Sequence, residues 1–190
     1  VSGYDRRVKK GNKRSFKSMK KMLLVFPHPS DEVFSCGGLI PKYVAGGWDV
    51  HLVSATQGET DKVGAGNSSD NGLGETRKHE LVAAGKILGL SSIQFLGYKE
   101  GALSKLTPGE LEDKIFREMV RLIPDVIITY EPHGINNAPD RIKVAIATTV
   151  AFQRFVRDVA KLPRFEELPG TQKRKLGRIY QASYEECLAL

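Results

Sequence analysis

Short apolar runs alternate with helical patterns along most of this 190-residue chain, and that alternation limits the folds open to it. Met22–Phe26 is a brief, wholly apolar run ending at a proline turn, the pattern of a strand buried on both faces. Trp48–Ala55 and Ile93–Leu96 read as a second and a third strand, Asp125–Tyr130 as a fourth, buried one, and Leu176–Tyr184 as a candidate last strand. Between them lie helix patterns. One opens at Cys36-Gly37-Gly38, carries Leu39, Ile40, Tyr43 and Val44 and stops at Gly46-Gly47. Glu75–Leu88 ends at Gly89, and a third helix runs from Pro108 through Leu122 with Leu111, Ile115 and Met119 at helical spacing. Pro139 starts a long helix to about Ala160. Strands separated by helices require crossover connections, hence a parallel or mainly parallel sheet covered on both faces. The expectation is a single-domain α/β chain, a three-layer Rossmann-like fold.

The length suits one domain with a sizeable core. No apolar run approaches the roughly 20 residues of a membrane span, and the basic N-terminus lacks the apolar core of a secretory signal, so the chain reads as cytoplasmic. Cys36 and Cys187 then read as thiols rather than a disulfide. Residues 1–21 hold nine bases against Asp5, a charge of +8, so the remainder carries −1 of the total +7. The basicity thus describes a segment and not a fold. Residues 1–20 are expected to be a disordered basic arm, the one feature through which nucleic acid or an anionic surface could be engaged, and residues 21–190 the folded domain. The Gly-, Asn-, Ser- and Asp-rich residues 57–74 read as a long mobile loop, and Lys161–Lys173 as a linker.

Function concentrates at Pro27-His28-Pro29-Ser30-Asp31-Glu32, just past the first strand. In open α/β sheets ligands bind at the carboxyl ends of strands. An imidazole and a carboxylate three residues apart there can face one metal ion, and their donor types suit Zn²⁺. No Gly-x-Gly-x-x-Gly turn follows the strand, and no Gly-Lys-Ser/Thr phosphate loop or Gly-x-Ser-x-Gly elbow occurs, which argues against dinucleotide, nucleotide and serine-hydrolase chemistry.

The hexapeptide with its following Gly37-Gly38 resembles the Ala-His-Pro-Asp-Asp-Glu signature of LmbE/PIG-L-type zinc N-deacetylases. Four further stretches match in order: Thr56-Gln57-Gly58-Glu59, Arg77-Lys78-His79-Glu80-Leu81, Leu96-Gly97-Tyr98-Lys99-Glu100-Gly101, and the loop from Thr129 to Ile142, where the family carries His-Pro-Asp-His. The resemblance covers roughly Lys21 to Tyr184. It implies metal-assisted hydrolysis of an acetamido group on an amino sugar or glycoside. It assigns His28 and Asp31 as zinc ligands, Asp140 a supporting catalytic role, and Arg77 and Glu32 to the substrate pocket. For Arg77 the alternative is a surface ion pair with Glu80 or Glu75.

Three central positions depart from the family pattern. Ser30 stands where the general base would be, Ala138 where the acid histidine would be, and Arg141 where the third zinc ligand would be. A hydroxyl is a very poor base, a methyl group has no proton to give, and a guanidinium cannot coordinate a cation. The Zn²⁺ cofactor that the resemblance implies is therefore placed in doubt. Arg141, if it reaches the pocket, could pair with Asp31 in the metal's stead. His133 is another candidate, since a bent loop could bring it beside His28 and Asp31; otherwise it is a loop histidine in water. His51 reads as a packed or surface strand residue, His79 as a solvent-facing helix residue, and Cys36 as a small buried residue at a helix start. Two functional readings remain: a zinc-dependent deacetylase with an impaired site, and a catalytically inactive homologue that binds or acts as a scaffold. The oligomeric state stays open, a homo-oligomer included.

Overall fold

The computed structural model describes residues 19–59, 72–161 and 178–182. Strand β1 (Lys21–Phe26) is the centre of the sheet, and five of its six residues are buried. It pairs in parallel with β2 (Asp49–Thr56) on one side and β4 (Val126–Tyr130) on the other. Outside these lie β3 (Ser92–Tyr98) and β5 (Arg178–Ala182), also parallel, giving the order β3-β2-β1-β4-β5.

The side-chain alternation of β1 divides the core. Leu23 and Val25 face α4 (Glu110–Leu122) and α6 (Pro139–Asp158), packing with Leu111, Ile115, Val144 and Phe155. Met22, Leu24 and Phe26 face the other way, onto Ile40 of α2 (Leu39–Ala45) and Leu81 of α3 (Leu73–Leu88). Helices thus cover both faces of a parallel sheet, the three-layer α/β, Rossmann-like architecture that strand–helix alternation demands. Successive strands run β1-β2-β3 in one direction, and the chain then crosses to β4 and β5 on the other side of β1. The reversal leaves a crevice at the carboxyl ends of β1 and β4.

Three local differences from the sequence expectation have physical reasons. A six-residue helix, α1 (Asp31–Cys36), precedes α2, so Cys36 ends a helix instead of opening one. Asp31, Glu32 and Ser35 are among its buried residues, so it lacks the apolar stripe that marks a helix in sequence. Helix α4 starts at Glu110, not Pro108: Gly109, at φ 95°, is the N-cap, and its N–H donates to the Glu112 carboxylate at 2.9 Å. Within the expected loop between Thr129 and Ile142 a kinked helical turn forms, α5 (Gly134–Asn137). The basic arm but for Met19 and Lys20, most of the loop at 57–74, the linker beyond Lys161, and Cys187 lie outside the described residues. Among the described residues no helix is long and apolar enough to cross a membrane.

Candidate functional site

The crevice at the ends of β1 and β4 holds an open cavity of about 620 Å³, lined in part by His28, Ser30, Arg77, Glu100, Ala138 and Arg141. Two turns build it. The β1–α1 turn places Ser30 in the left-handed region at φ 77°, with its hydroxyl donating to the Pro29 carbonyl. This brings Asp31 to the first turn of α1, where Asp31 Oδ2 accepts the His28 backbone N–H at 3.1 Å. The β4–α6 turn is held by Glu131, whose carboxylate accepts the N–H groups of His133 and Ile135, each at 2.7 Å. Gly134 is required there: a Cβ on it would sit 2.7 Å from Arg141 Cβ and 2.9 Å from Ile142 N, so the turn can lie against α6 only without a side chain.

These turns bring residues from opposite halves of the chain together. The Arg141 guanidinium donates from Nη2 to Asp31 Oδ1 at 2.7 Å and stacks over the Tyr130 ring with Cζ 5.2 Å from its centroid. The ring is fixed in turn by an edge contact with Phe26, centroids 4.9 Å apart, and by the Ser35 hydroxyl, which donates to Oη at 3.2 Å. Burial would raise the Asp31 carboxyl, but the His28 hydrogen bond and the Arg141 charge hold it below the usual carboxylate range.

His28 sits among carboxylates. Asp31 Oδ2 is 3.4 Å from Nδ1, while Asp140 Oδ2 and Glu100 Oε1 are 3.2 and 3.8 Å from Nε2. Burial opposes its charging, yet the hydrogen bonds to Asp140 and Asp31 outweigh this and lift the imidazole to about 9, so it is cationic at neutral pH. The Asp140 oxygens also accept the N–H groups of Gly101 at 2.6 Å and Leu103 at 3.2 Å, which ties the loop after β3 to His28. Glu32 lies buried beneath the turn, 1% exposed, and neither oxygen has a hydrogen bond of ordinary geometry among the described residues. Burial, with Asp31 adjacent, pushes it up to about 7 despite the nearby N–H groups of Ser30 and Glu32.

The donor set does not fit zinc. Asp31 and Asp140 flank opposite nitrogens of the His28 ring, so no point lies within the ~2 Å bonding distance of all three. The Arg141 cation already occupies an Asp31 oxygen. No group of three His, Cys, Asp or Glu side chains among the described residues could hold a metal. His133 does not supply the missing ligand: its side chain is 84% exposed and its Nδ1 lies 2.9 Å from Glu131 Oε2. His51 is half-buried on β2 beside Ser92, and His79 is exposed on α3. Ala138 lines the cavity with a methyl group. Arg77 does both things open to it, lining the cavity and reaching Glu80 Oε2 at 3.4 Å. Sequence reasoning missed Tyr130, Glu100 and Phe34 at the site. Glu100, inside the Leu96–Gly101 match, and Tyr130, inside the Thr129–Ile142 match, left a signal that could have been followed; Phe34 left none.

Comparison with known proteins places this arrangement in context. The PIG-L family, described as GlcNAc-PI de-N-acetylase, matches residues 23–152. The chain is 33% identical over 165 residues to a 1D-myo-inositol 2-acetamido-2-deoxy-alpha-D-glucopyranoside deacetylase of Mycobacteroides abscessus, covering 75% of this chain and 59% of the relative. A Thermobifida fusca protein of the same name is 33% identical over 186 residues, covering 85% of this chain and 62% of its own length. The chain therefore spans about three-fifths of these curated relatives. The N,N'-diacetylchitobiose deacetylase of Pyrococcus horikoshii shares the fold with a TM-score of 0.67, over 88% of this chain and 61% of that one, at 23% identity. With the family matched from β1 through β4, across both turns and most of α6, this chain belongs to the PIG-L family.

Proposed function

We propose that this chain is a binding member of its family: its cavity receives an N-acetylated amino sugar or glycoside and does not hydrolyse the amide. The observation that carries this reading is the 2.7 Å pair between Arg141 and Asp31. It puts a fixed cation where the family resemblance would put a metal ligand. Amide hydrolysis needs an activated water, a base to take its proton and an acid for the leaving amine. Ser30 directs its hydroxyl to the Pro29 carbonyl, Ala138 has no proton to offer, and His28 is enclosed by carboxylates. Loss of one proton-transfer group costs roughly 10²–10⁴ in rate, and here two are missing. Relatives named as deacetylases of acetamido-glucopyranosides support the ligand class. The second reading, a working zinc deacetylase, is favoured by the survival of His28, Asp31 and Asp140.

The deciding experiment pairs calorimetric titration of methyl 2-acetamido-2-deoxy-α-D-glucopyranoside with an acetate-release assay in the presence of zinc. The expected outcome is binding without acetate release. Acetate release by the unaltered chain, lost in His28→Ala, would establish the second reading. Absence of binding would leave only a scaffold. The combined substitutions Ser30→Asp, Ala138→His and Arg141→His test the origin of the site: they are expected to restore zinc uptake.

A further inference from the structure

Phe34 is held in water by a helix whose other side is fully committed. Helix α1 buries Asp31, Glu32, Ser35 and Cys36, while Phe34 is 81% exposed. Isolated exposed hydrophobics are ordinary and need no explanation. Phe34 differs from the others in two respects. Of the seven large exposed hydrophobics among the described residues it is the only aromatic, and it alone lines the cavity. It belongs to neither core cluster, so the packing of the sheet does not account for it. Its backbone is nevertheless fixed, since the N–H groups of Val33 and Phe34 both donate to the Ser30 carbonyl at 3.1 Å.

The cavity wall therefore has two characters. Arg77, Glu100, Asn136 and Arg141 offer polar groups, and Phe34 offers a flat apolar face at the lip. A pyranose has the matching division, with hydroxyl groups around its rim and C–H bonds over its faces. The volume of about 620 Å³ is in the range of small-ligand sites and admits a hexopyranoside. An aromatic ring with two side-chain torsions loses little freedom on binding, which suits it to be a contact platform. We propose that Phe34 is a specificity-determining residue on whose ring the pyranose of the bound acetamido sugar stacks. The inference rests on the sugar-binding reading above and deepens it.

The test uses the full chain and methyl 2-acetamido-2-deoxy-α-D-glucopyranoside, with affinity read by calorimetry and folding by thermal melting. Phe34→Ala is expected to weaken binding roughly tenfold with an unchanged Tm, because exposed apolar surface is lost from the ligand contact and not from the core. Phe34→Trp is expected to keep binding, and its indole emission should change on sugar addition. Trp48, packed edge-on against Tyr43 with centroids 5.0 Å apart, gives a constant background. Wild-type affinity in Phe34→Ala would overturn the proposal. So would a lowered Tm with unchanged affinity, which would mean that the ring packs on the protein itself. If the unaltered chain binds no sugar, the underlying reading falls and takes this one with it.

Discussion

At the scale of single residues, Asp31 decides the character of the site. Its side chain is only 4% exposed, and each oxygen has a different partner: His28 on one, Arg141 on the other. A buried pair of this kind adds little net stability, since desolvating two ions offsets most of their attraction. Removing one partner is another matter, because the remaining charge stays in a poorly solvated place. Arg141→Ala is predicted to destabilise the chain by about 3 kcal/mol, the lower end of the range for a broken buried pair, since the cationic His28 still faces Asp31. The urea midpoint should fall with an unchanged m-value, and Arg141→Lys, which keeps the charge but not the planar fork, should fall between. A midpoint equal to wild type would show that the pair does not bear on the fold. His28, Asp31, Asp140 and Arg141 were legible as a group because two motif positions fix them. Tyr130 and Phe34 were not. Stacking of Tyr130 under Arg141 depends on the entry angle of α6, and exposure of Phe34 depends on which side of a six-residue helix is buried; neither is a property of local sequence.

Among the elements, the strands were the most readable. Met22–Phe26 is an apolar run, and Val126–Tyr130 is one but for the buried Thr129, because both faces of the central sheet are covered. Helix α1 was unreadable because its buried residues are mostly polar and serve the site. The β2–β3 edge carries a testable polar exception. His51 on β2 lies 2.8 Å through Nδ1 from Ser92 Oγ on β3, and its Nε2 is buried without a hydrogen-bond partner among the described residues. Burial holds this imidazole below its ordinary value of 6.5, and Lys21 and Arg121 act in the same direction against Asp49 and Glu118. A depressed histidine binds its proton more readily in the unfolded chain. Its contribution is therefore complete above about pH 6.5 and is lost as pH falls below it. His51→Gln, which keeps a polar group near Ser92 but does not titrate, should make Tm less sensitive to acidification from about pH 7 to 5. Parallel Tm profiles for the two proteins would refute this. His28, raised to about 9, acts in a separate window: its stabilisation is complete below about 6.5 and fades as pH rises through 9.

For the molecule as a whole, the strand order β3-β2-β1-β4-β5 makes the crevice, and the crevice exists whether or not a metal fills it. Alternation of strands and helices implied a parallel sheet; which strands flank β1 depends on long-range packing that no local pattern records. Two turns, one before α1 and one before α6, meet at the crevice and must be joined by something. In a metalloenzyme the ion can join them, and its binding free energy then adds to the stability of the fold. Here the bond between the turns is Asp31–Arg141, backed by His28–Asp140. The consequence is measurable without any assay of activity. A chain that bound zinc in its folded state alone would gain about 2.7 kcal/mol at a free concentration one hundred times Kd, and about 4.1 kcal/mol at one thousand times. Its Tm would rise with added zinc and fall with chelator. This chain is predicted to melt at the same temperature with micromolar zinc, with no addition and with EDTA. Replacing Ser30 by Asp and Ala138 and Arg141 by His should lower the Tm in EDTA, because the ion pair is gone, and restore it with zinc. A zinc-dependent rise in the Tm of the unaltered chain would mean that the turns can separate Arg141 from Asp31 to admit a metal.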